Sequence, residues 1–232
     1  MTVEMKNVKP EYIVYCSHAG HTKRYAEMFA EASGLPIMKN TEAMKKLPEG
    51  AKVIYFGWVQ TNIIQGYKEA KKKFDICAVV SVGMFGRGTG VQALRKVSGI
   101  RSEIPLFPLK GGLEMKKLGP AYKIMMAAMR PGVIRDLKLR QNPTPLERDM
   151  LRTIEKGGDY VKPEYLEIVI RWYELGEYEE QDYYDDFSGE YVSSAMDEFI
   201  AEQKAKTAEK KAKKDAKKNG AGGKEETDED EE

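Results

Sequence analysis

Three features are scarce in this chain, and each shortage excludes a class of protein. The 232 residues contain two cysteines and no Cys-x-x-Cys pair, which excludes a disulfide framework and gives no support for a structural zinc or an iron–sulfur centre. The sequence has no long apolar run and no apolar signal-peptide core near its N-terminus. We therefore expect a cytoplasmic protein without a transmembrane segment, with Cys16 and Cys77 as buried free thiols.

Net charge is the third scarce feature. The formal net charge is +1, so the composition offers no electrostatic attraction for nucleic acid, and we expect no nucleic-acid partner. The charge near the C-terminus is segregated rather than absent. Residues 204–218 carry eight lysines against two acids, and residues 219–232 carry seven acids against one lysine. Neither block can build a core, so the sequence predicts a disordered tail over residues 204–232.

Patterns typical of strands and helices alternate from residue 10 to residue 175. Strands that are apolar on both faces and separated by helices indicate a parallel sheet covered on both sides. Right-handed crossovers then predict a doubly wound α/β fold with five strands in the order 2-1-3-4-5. The predicted strands span residues 12–16, 35–38, 53–57, 76–82 and 104–109. The predicted helices span residues 21–33, 41–47, 63–73, 91–97, 120–129 and 144–156, with a last one from residue 163. Thr41 is the expected cap of the second helix, and residues 144–147 have the pattern of a capping box with proline at the first helical position.

The loop after the first strand has the composition of an anion site. A strand that enters a helix through a short polar loop presents unpaired N–H groups and the positive end of the helix dipole. Ser17 and Thr22 add hydroxyl donors, and Gly20 lets the backbone approach a phosphate closely. Both histidines of the chain, His18 and His21, lie in this loop. It lacks the G-x-G-x-x-G and G-K-[ST] patterns, which excludes the dinucleotide fingerprint and the Walker A loop at this position.

This loop resembles the FMN-phosphate loop of flavodoxins, which usually has the pattern [Ser/Thr]-x-[Thr/Ser]-Gly-x-Thr. The chain departs from the pattern at Ala19, so one phosphate hydrogen bond would need another donor, for which His18 and His21 are candidates. A second resemblance follows the fifth strand. The Gly-Gly-Leu at residues 111–113 and the basic, methionine-rich helix after it are similar to the insertion of menaquinone-dependent protoporphyrinogen oxidases.

The resemblance covers about residues 10–175 and implies a flavodoxin-like, FMN-binding domain over residues 1–175, with a helical insertion at about 113–158. An acidic and aromatic extension with a possible helix would follow at residues 176–203. Trp58 would stack on the flavin ring, although a tryptophan at the rim of the core is the alternative. The implied cofactor-binding residues, in three loops, are Ser17, His18, Ala19, Gly20, His21 and Thr22, then Trp58, Val59, Gln60 and Thr61, then Gly83, Met84, Phe85 and Gly86.

The function implied by the resemblance is that of an FMN-dependent oxidoreductase in electron transfer. Its partner would be a redox protein, a quinone or another planar aromatic molecule, and a homo-oligomer is compatible with the sequence. A flavodoxin-type electron carrier is the first alternative, and a flavin-free binding module is the second. No side chain stands out as a catalytic acid or base, and no metal site is expected. A receiver-type phosphorylation domain is excluded, because aspartates are missing at the ends of the first and third predicted strands.

Overall fold

The computed structural model describes residues 8–60, 62–84 and 91–178. The chain divides into two units, Met1–Gly189 and Glu190–Glu232, and all described residues belong to the first. The predicted tail, and the predicted extension beyond residue 178, therefore lie outside the described residues.

The central sheet is parallel and has the predicted strand order. The five main strands follow the order β2-β1-β3-β5-β6, and β4 is bonded to the end of β3. In chain order this is the predicted 2-1-3-4-5 arrangement, and it confirms a flavodoxin-like α/β fold. The strands are β1 Tyr12–Cys16, β2 Ile37–Lys39, β3 Lys52–Gln60, β4 Ile63–Ile64, β5 Asp75–Gly83, β6 Leu106–Lys110, β7 Gly112–Leu113 and β8 Gly158–Asp159.

Helices cover both faces of the sheet. The described helices are α1 His21–Ser33, α2 Asn40–Lys46, α3 Tyr67–Lys73, α4 Val91–Ser98, α5 Pro120–Leu139, α6 Pro145–Lys156 and α7 Glu167–Leu175, with 3-10 helices at Met115–Lys117 and Pro163–Leu166. Phe29 of α1 and Trp172 of α7 join the core on one face of the sheet. Ala43 of α2, Tyr67 of α3 and Leu94 of α4 join the core on the other. The two cores explain why the central strands are apolar on both faces.

The end of β3 differs from the sequence prediction. The strand does not end at residue 57 but continues to Gln60, reverses direction, and pairs antiparallel with β4. The helix predicted from residue 63 therefore begins at Tyr67. Ile64 is buried, pairs with Val59, and donates its amide to the Ser98 hydroxyl at 3.2 Å. This tertiary pairing outweighs the helical spacing that predicted an earlier helix.

Smaller differences concern the ends of elements. β2 spans Ile37–Lys39 rather than residues 35–38, and β6 spans Leu106–Lys110 rather than residues 104–109. Thr41 does not cap α2, because the helix already begins at Asn40 and its N-cap, Lys39, makes no capping side-chain bond. Boundaries depend on which backbone groups find partners in the sheet, and a single-strand pattern does not contain that information.

The segment between β6 and α7 forms an antiparallel helix pair on a two-stranded base. β7 pairs with β8, so the helix pair begins and ends at adjacent positions of the chain's backbone. α5 contacts α6, and each supplies buried side chains to their packing. Lys110 at the end of β6 forms an ion pair with Asp149 of α6, and its ammonium lies 4.0 Å from the Tyr160 ring centroid. The buried residues of the pair are Met126, Met129, Val133, Leu137, Glu147, Met150, Thr153 and Ile154.

Within the described part of the chain, no helix combines the length and the apolar character needed to cross a bilayer.

Candidate functional site

The carboxyl ends of β1, β3 and β5 meet at one edge of the sheet, because these strands are parallel neighbours. In parallel α/β folds, ligands bind at this edge, where the strand order reverses. The reversal lies between β1 and β3, since the chain builds outward from β1 to β2 and then to β3 on its other side. The loop that joins β1 to α1 and the end of β3 therefore flank the expected ligand position.

The β1–α1 loop ends in an uncapped helix N-terminus. Gly20, the N-cap residue of α1, has a φ of 97°, a left-handed conformation that residues with a side chain rarely adopt. As a glycine it offers no side chain to cap the helix. The N–H groups of the first helical turn are therefore available to an anion. The hydroxyl oxygen of Ser17 is buried and has no hydrogen-bond partner among the described residues. An unpaired buried hydroxyl costs free energy unless a ligand or water bonds to it.

The other residues of this loop differ in exposure. His18 is exposed, whereas Ala19 and Gly20 are half-buried. His21 and Thr22 are 6% and 1% exposed, so both side chains lie beneath the loop surface. The Thr22 side chain is therefore enclosed by neighbouring protein atoms, which limits the access of a ligand to its hydroxyl.

Three aromatic rings from separate segments contact one another at the same edge. The rings of His18 and Trp58 are stacked, with centroids 5.1 Å apart and planes inclined by 24°. Tyr122, from the first turn of α5, meets both rings edge-on at 5.0 Å and 5.7 Å. Its hydroxyl donates a 2.9 Å hydrogen bond to the side-chain oxygen of Gln60. We call His18, Trp58 and Tyr122 the aromatic cluster.

The remaining predicted residues lie at the ends of β3 and β5. Trp58, Val59 and Gln60 are strand residues and not loop residues as predicted, and all three are half-buried. Gly83 lies beside Val59, where an added Cβ would be 3.5 Å from the Val59 Cβ, and Met84 directly follows β5. The other three predicted residues, Thr61, Phe85 and Gly86, lie outside the described residues.

A charged cluster lies beside the N-terminus of α1. The imidazole Nε2 of His21 is 2.9 Å from a carboxylate oxygen of Glu114 and 3.9 Å from one of Asp159. Ligand-capable atoms of the three side chains lie within 4.8 Å of one another. Each carboxylate also pairs with a basic side chain, Glu114 with Lys117 at 2.7 Å and Asp159 with Arg24. The protein itself therefore balances the two negative charges.

Both carboxylates of this cluster ionise more readily than usual. The hydrogen bond from Lys117 lowers the pKa of Glu114, and His21 adds to the effect. Partial burial opposes the ionisation of Asp159, but the hydrogen bonds from the Val161 amide and from Arg24 outweigh it and lower the pKa of that carboxyl. Both groups are consequently negative at neutral pH.

Both cysteines are free. Cys16, at the carboxyl end of β1, is half-buried, and Cys77 is buried. Burial raises the pKa of the Cys16 thiol, although a hydrogen bond with Trp58 partly opposes the shift. A thiol with a raised pKa is a poor nucleophile at neutral pH, so Cys16 is not suited to covalent catalysis.

Sequence analysis missed Tyr122, Glu114 and Asp159. Tyr122 and Glu114 lie in the segment that resembles the protoporphyrinogen oxidase insertion, and a polar or aromatic residue there could have been examined as a site candidate. Asp159 follows a glycine pair, which indicates a turn and carries no site signal. Sequence separations of 93 residues between His21 and Glu114 and 62 residues between Gln60 and Tyr122 explain why pattern reasoning did not connect them.

Comparison with protein-family models, with curated proteins and with solved structures finds no match to this chain.

Proposed function

We propose that this protein is an FMN-binding flavoprotein, an oxidoreductase that moves electrons between its flavin and a quinone-like or planar aromatic partner. The flavodoxin-like strand order supports this reading, because the fold provides a ligand edge where β1 and β3 diverge. Fold alone does not determine function, so the proposal depends on what lies at that edge.

One observation carries the proposal. A buried, unpartnered Ser17 hydroxyl and an uncapped helix N-terminus lie in the same loop as His18, whose ring stacks on Trp58. An anion site thus adjoins an aromatic surface, which is the combination that a phosphorylated planar ring system requires. The residues present therefore suit FMN.

The chain's own residues have distinct parts in this proposal. Ser17 and the first-turn amides of α1 would bind the phosphate, and Thr22 would support the loop from below. Trp58 would supply the stacking surface. His18 is exposed and stacks on Trp58, so the bound flavin ring would replace the imidazole on the indole face. When bound, the flavin supplies the redox chemistry, and the protein supplies orientation and a partly dry apolar wall.

The direct test is to identify the cofactor. We expect the purified full chain to show flavin absorbance, or to acquire it after incubation with FMN, and acid extraction followed by chromatography to recover FMN. Recovery of FAD would contradict the proposal, because the loop at residues 17–22 is assigned to the single phosphate of FMN. Failure to bind any flavin after reconstitution would favour a flavin-free binding module.

Tyr122 favours an enzyme over a simple electron carrier. It lies on α5, in the segment inserted after β6, and contributes one ring of the aromatic cluster. The test removes residues 114–157 and joins Leu113 to Gly158, which are paired neighbours in β7 and β8, through a short glycine linker. Lys110→Met is included because the deletion removes its partner Asp149. We expect FMN to remain bound and turnover with a quinone to be lost, whereas unchanged turnover would indicate a carrier.

A further inference from the structure

Residues 111–119, which we call the strap, pass over the loop that carries the proposed phosphate site. A Cβ added at Gly111 would lie 3.2 Å from the Cβ of His21 and 2.8 Å from a methyl group of Val82. One added at Gly119 would lie 3.9 Å from Cε1 of His18. The strap is therefore packed against both histidines of the loop, and charges on the strap lie close to the N-terminus of α1.

Glu114 is the acidic residue of the strap, and it is bonded to the first residue of α1. Its Oε2 is 2.9 Å from Nε2 of His21, while the His21 side chain is 8% exposed. The same oxygen lies 2.7 Å from the ammonium of Lys117, whose side chain is 52% exposed. The nearby carboxylate of Asp159 is already bonded by both Arg24 and the Val161 amide. The negative charge of Glu114 is thus balanced by an exposed surface lysine and by His21.

A carboxylate at this position opposes the binding of a phosphate. The N-terminal end of a helix favours negative charge. Glu114 already places a negative charge there, because its carboxylate is hydrogen-bonded to His21, the first residue of α1. A phosphate bound by Ser17 and the first-turn amides would bring a second anion to the same helix end. Two negative charges near the same helix end repel each other, and the partly exposed surroundings of Glu114 weaken this repulsion without removing it.

We propose that Glu114 sets the affinity of the loop for phosphate, and with it the preference for FMN over riboflavin. Glu114 lowers this affinity and Lys117 restores part of it, so the strap acts as a local charge balance for the phosphate loop. This inference rests on the proposed FMN function. It concerns the phosphate of the ligand and not its ring. A comparison of FMN with riboflavin, which lacks the phosphate, therefore separates an effect on phosphate binding from an effect on ring binding.

The experiment compares two strap variants with charge-matched controls. Glu114→Gln keeps a hydrogen-bonding side chain next to His21 and removes the charge, and Lys117→Met removes the compensating cation. The control for the first is Glu31→Gln, an exposed acid in the last turn of α1. The control for the second is Lys116→Met, the exposed neighbour of Lys117. Dissociation constants for FMN and for riboflavin are measured by flavin fluorescence at low salt, and again at about 1 M salt.

We expect Glu114→Gln to bind FMN about fivefold more tightly and Lys117→Met to bind it about threefold more weakly at low salt. Neither variant should change the affinity for riboflavin, and the controls should match the parent for both ligands. Both FMN effects should shrink at high salt, where the screening length falls to about 3 Å. Lys117→Met should also have a smaller effect when Glu114 is already glutamine, because much of its action is exerted through that carboxylate.

The outcomes distinguish this inference from the proposed function. Unchanged or weaker FMN binding by Glu114→Gln, in a protein whose parent binds FMN, would overturn the role of Glu114 and leave the flavoprotein intact. An equal gain for FMN and riboflavin would also overturn it, because the effect would then not concern phosphate. A parent that binds neither ligand would overturn both. If Glu114→Gln does not fold, the opposite shift expected of the surface variant Lys117→Met decides the question.

Discussion

Trp58 illustrates how neighbours determine the role of a single residue. The indole contacts an exposed imidazole from the first loop and a phenol from α5, and it also forms a hydrogen bond with the thiol of Cys16. The polar partners around it are typical of a surface that binds a ring with both apolar and polar edges.

Ser17 gives the sharpest test at a single residue. Its hydroxyl is buried and has no partner among the described residues, so Ser17→Ala should leave the free energy of unfolding unchanged or raise it by up to about 1 kcal/mol. The same change should weaken FMN binding by roughly 1.5–3 kcal/mol, because a charge-assisted hydrogen bond to phosphate is lost. Urea unfolding and FMN titration measure the two quantities.

Riboflavin provides the control for this substitution. It lacks the phosphate, so Ser17→Ala should not alter its affinity. A variant that loses stability but binds FMN like the parent would show that Ser17 supports the loop and does not contact the ligand. The same measurement on Thr22→Ala should show a loss of stability, since Thr22 is only 1% exposed.

Among the elements, α6 shows a terminus that local chemistry specifies. The Thr144 hydroxyl accepts a 3.2 Å bond from the Glu147 amide, and the Glu147 carboxylate accepts a 2.8 Å bond from the Thr144 amide. Pro145 occupies the first helical position, and Arg140 forms an ion pair with the 3%-exposed Glu147. The capping box was predicted from four consecutive residues, because its bonds all lie within them.

The two threonines near helix starts make a matched pair. Thr144→Ala removes a cap and should lower the free energy of unfolding by about 1 kcal/mol. Thr41→Ala should change it by less than about 0.5 kcal/mol, because Thr41 lies inside α2 and does not cap it. Chemical denaturation of the parent and both variants measures the difference. Equal losses in the two variants would contradict the capping role of Thr144.

The β3–β4 hairpin shows an element that local pattern misassigns. Ile63 and Ile64 have helical spacing to later residues, yet they form a strand on the extended end of β3. Gly57 permits the close approach, because an added Cβ would lie 2.3 Å from a methyl group of Ile64. This contact joins residues whose pairing requires the whole sheet, so no window of the sequence indicates it.

At the level of the whole molecule, Tyr178 determines where the first unit can be shortened. Its ring packs edge-on against Phe107 at 5.3 Å, and its hydroxyl bonds to Arg95 and to the Leu106 amide, both at 3.1 Å. Tyr178 lies beyond residue 175, the predicted end of the flavodoxin-like domain. The core thus includes residues that the composition change near Gly176 had assigned to an extension.

Two truncations test this boundary. A chain ending at Gly189 removes the second unit and should retain the fold and flavin binding of the parent. A chain ending at Gly176 also loses Tyr178. Its free energy of unfolding should be lower by roughly 2–4 kcal/mol, since an aromatic contact and the hydrogen bonds of the Tyr178 hydroxyl are lost. Urea unfolding of both purified proteins gives the comparison. Equal stability would show that Tyr178 contributes nothing to the core.

The buried tyrosines set the response of the fold to alkaline pH. Burial raises the pKa of Tyr25 to about 12 and of Tyr67 to about 12, and it raises the pKa of Tyr55 above its ordinary range. The folded state then holds these protons more tightly than the unfolded state, in which tyrosine has a pKa of about 10. The contribution of these tyrosines to the free energy of unfolding is complete below pH 10 and is lost as the pH rises through 12.

We therefore expect the free energy of unfolding to fall between pH 10 and pH 12, by about 2 kcal/mol for each tyrosine. Tyr67→Phe keeps the buried ring and removes one titrating group, so its stability should fall less steeply over this range. Denaturant unfolding at several pH values measures the slopes. Parallel slopes for the parent and Tyr67→Phe would contradict the contribution of Tyr67.

Sequence reasoning was sufficient for the strand order, for α1 and for the cap of α6, because alternation and capping act over a few neighbouring residues. The loop from Ser17 to Thr22 follows β1 as predicted, and the binding roles of this loop and of Trp58 stay predictions. The contacts of Tyr122 and Glu114 with that loop required the tertiary structure, since they join residues from distant segments. The extended end of β3 had the same cause: sheet pairing supplies partners that local propensity does not encode. FMN itself remains a prediction that cofactor extraction decides.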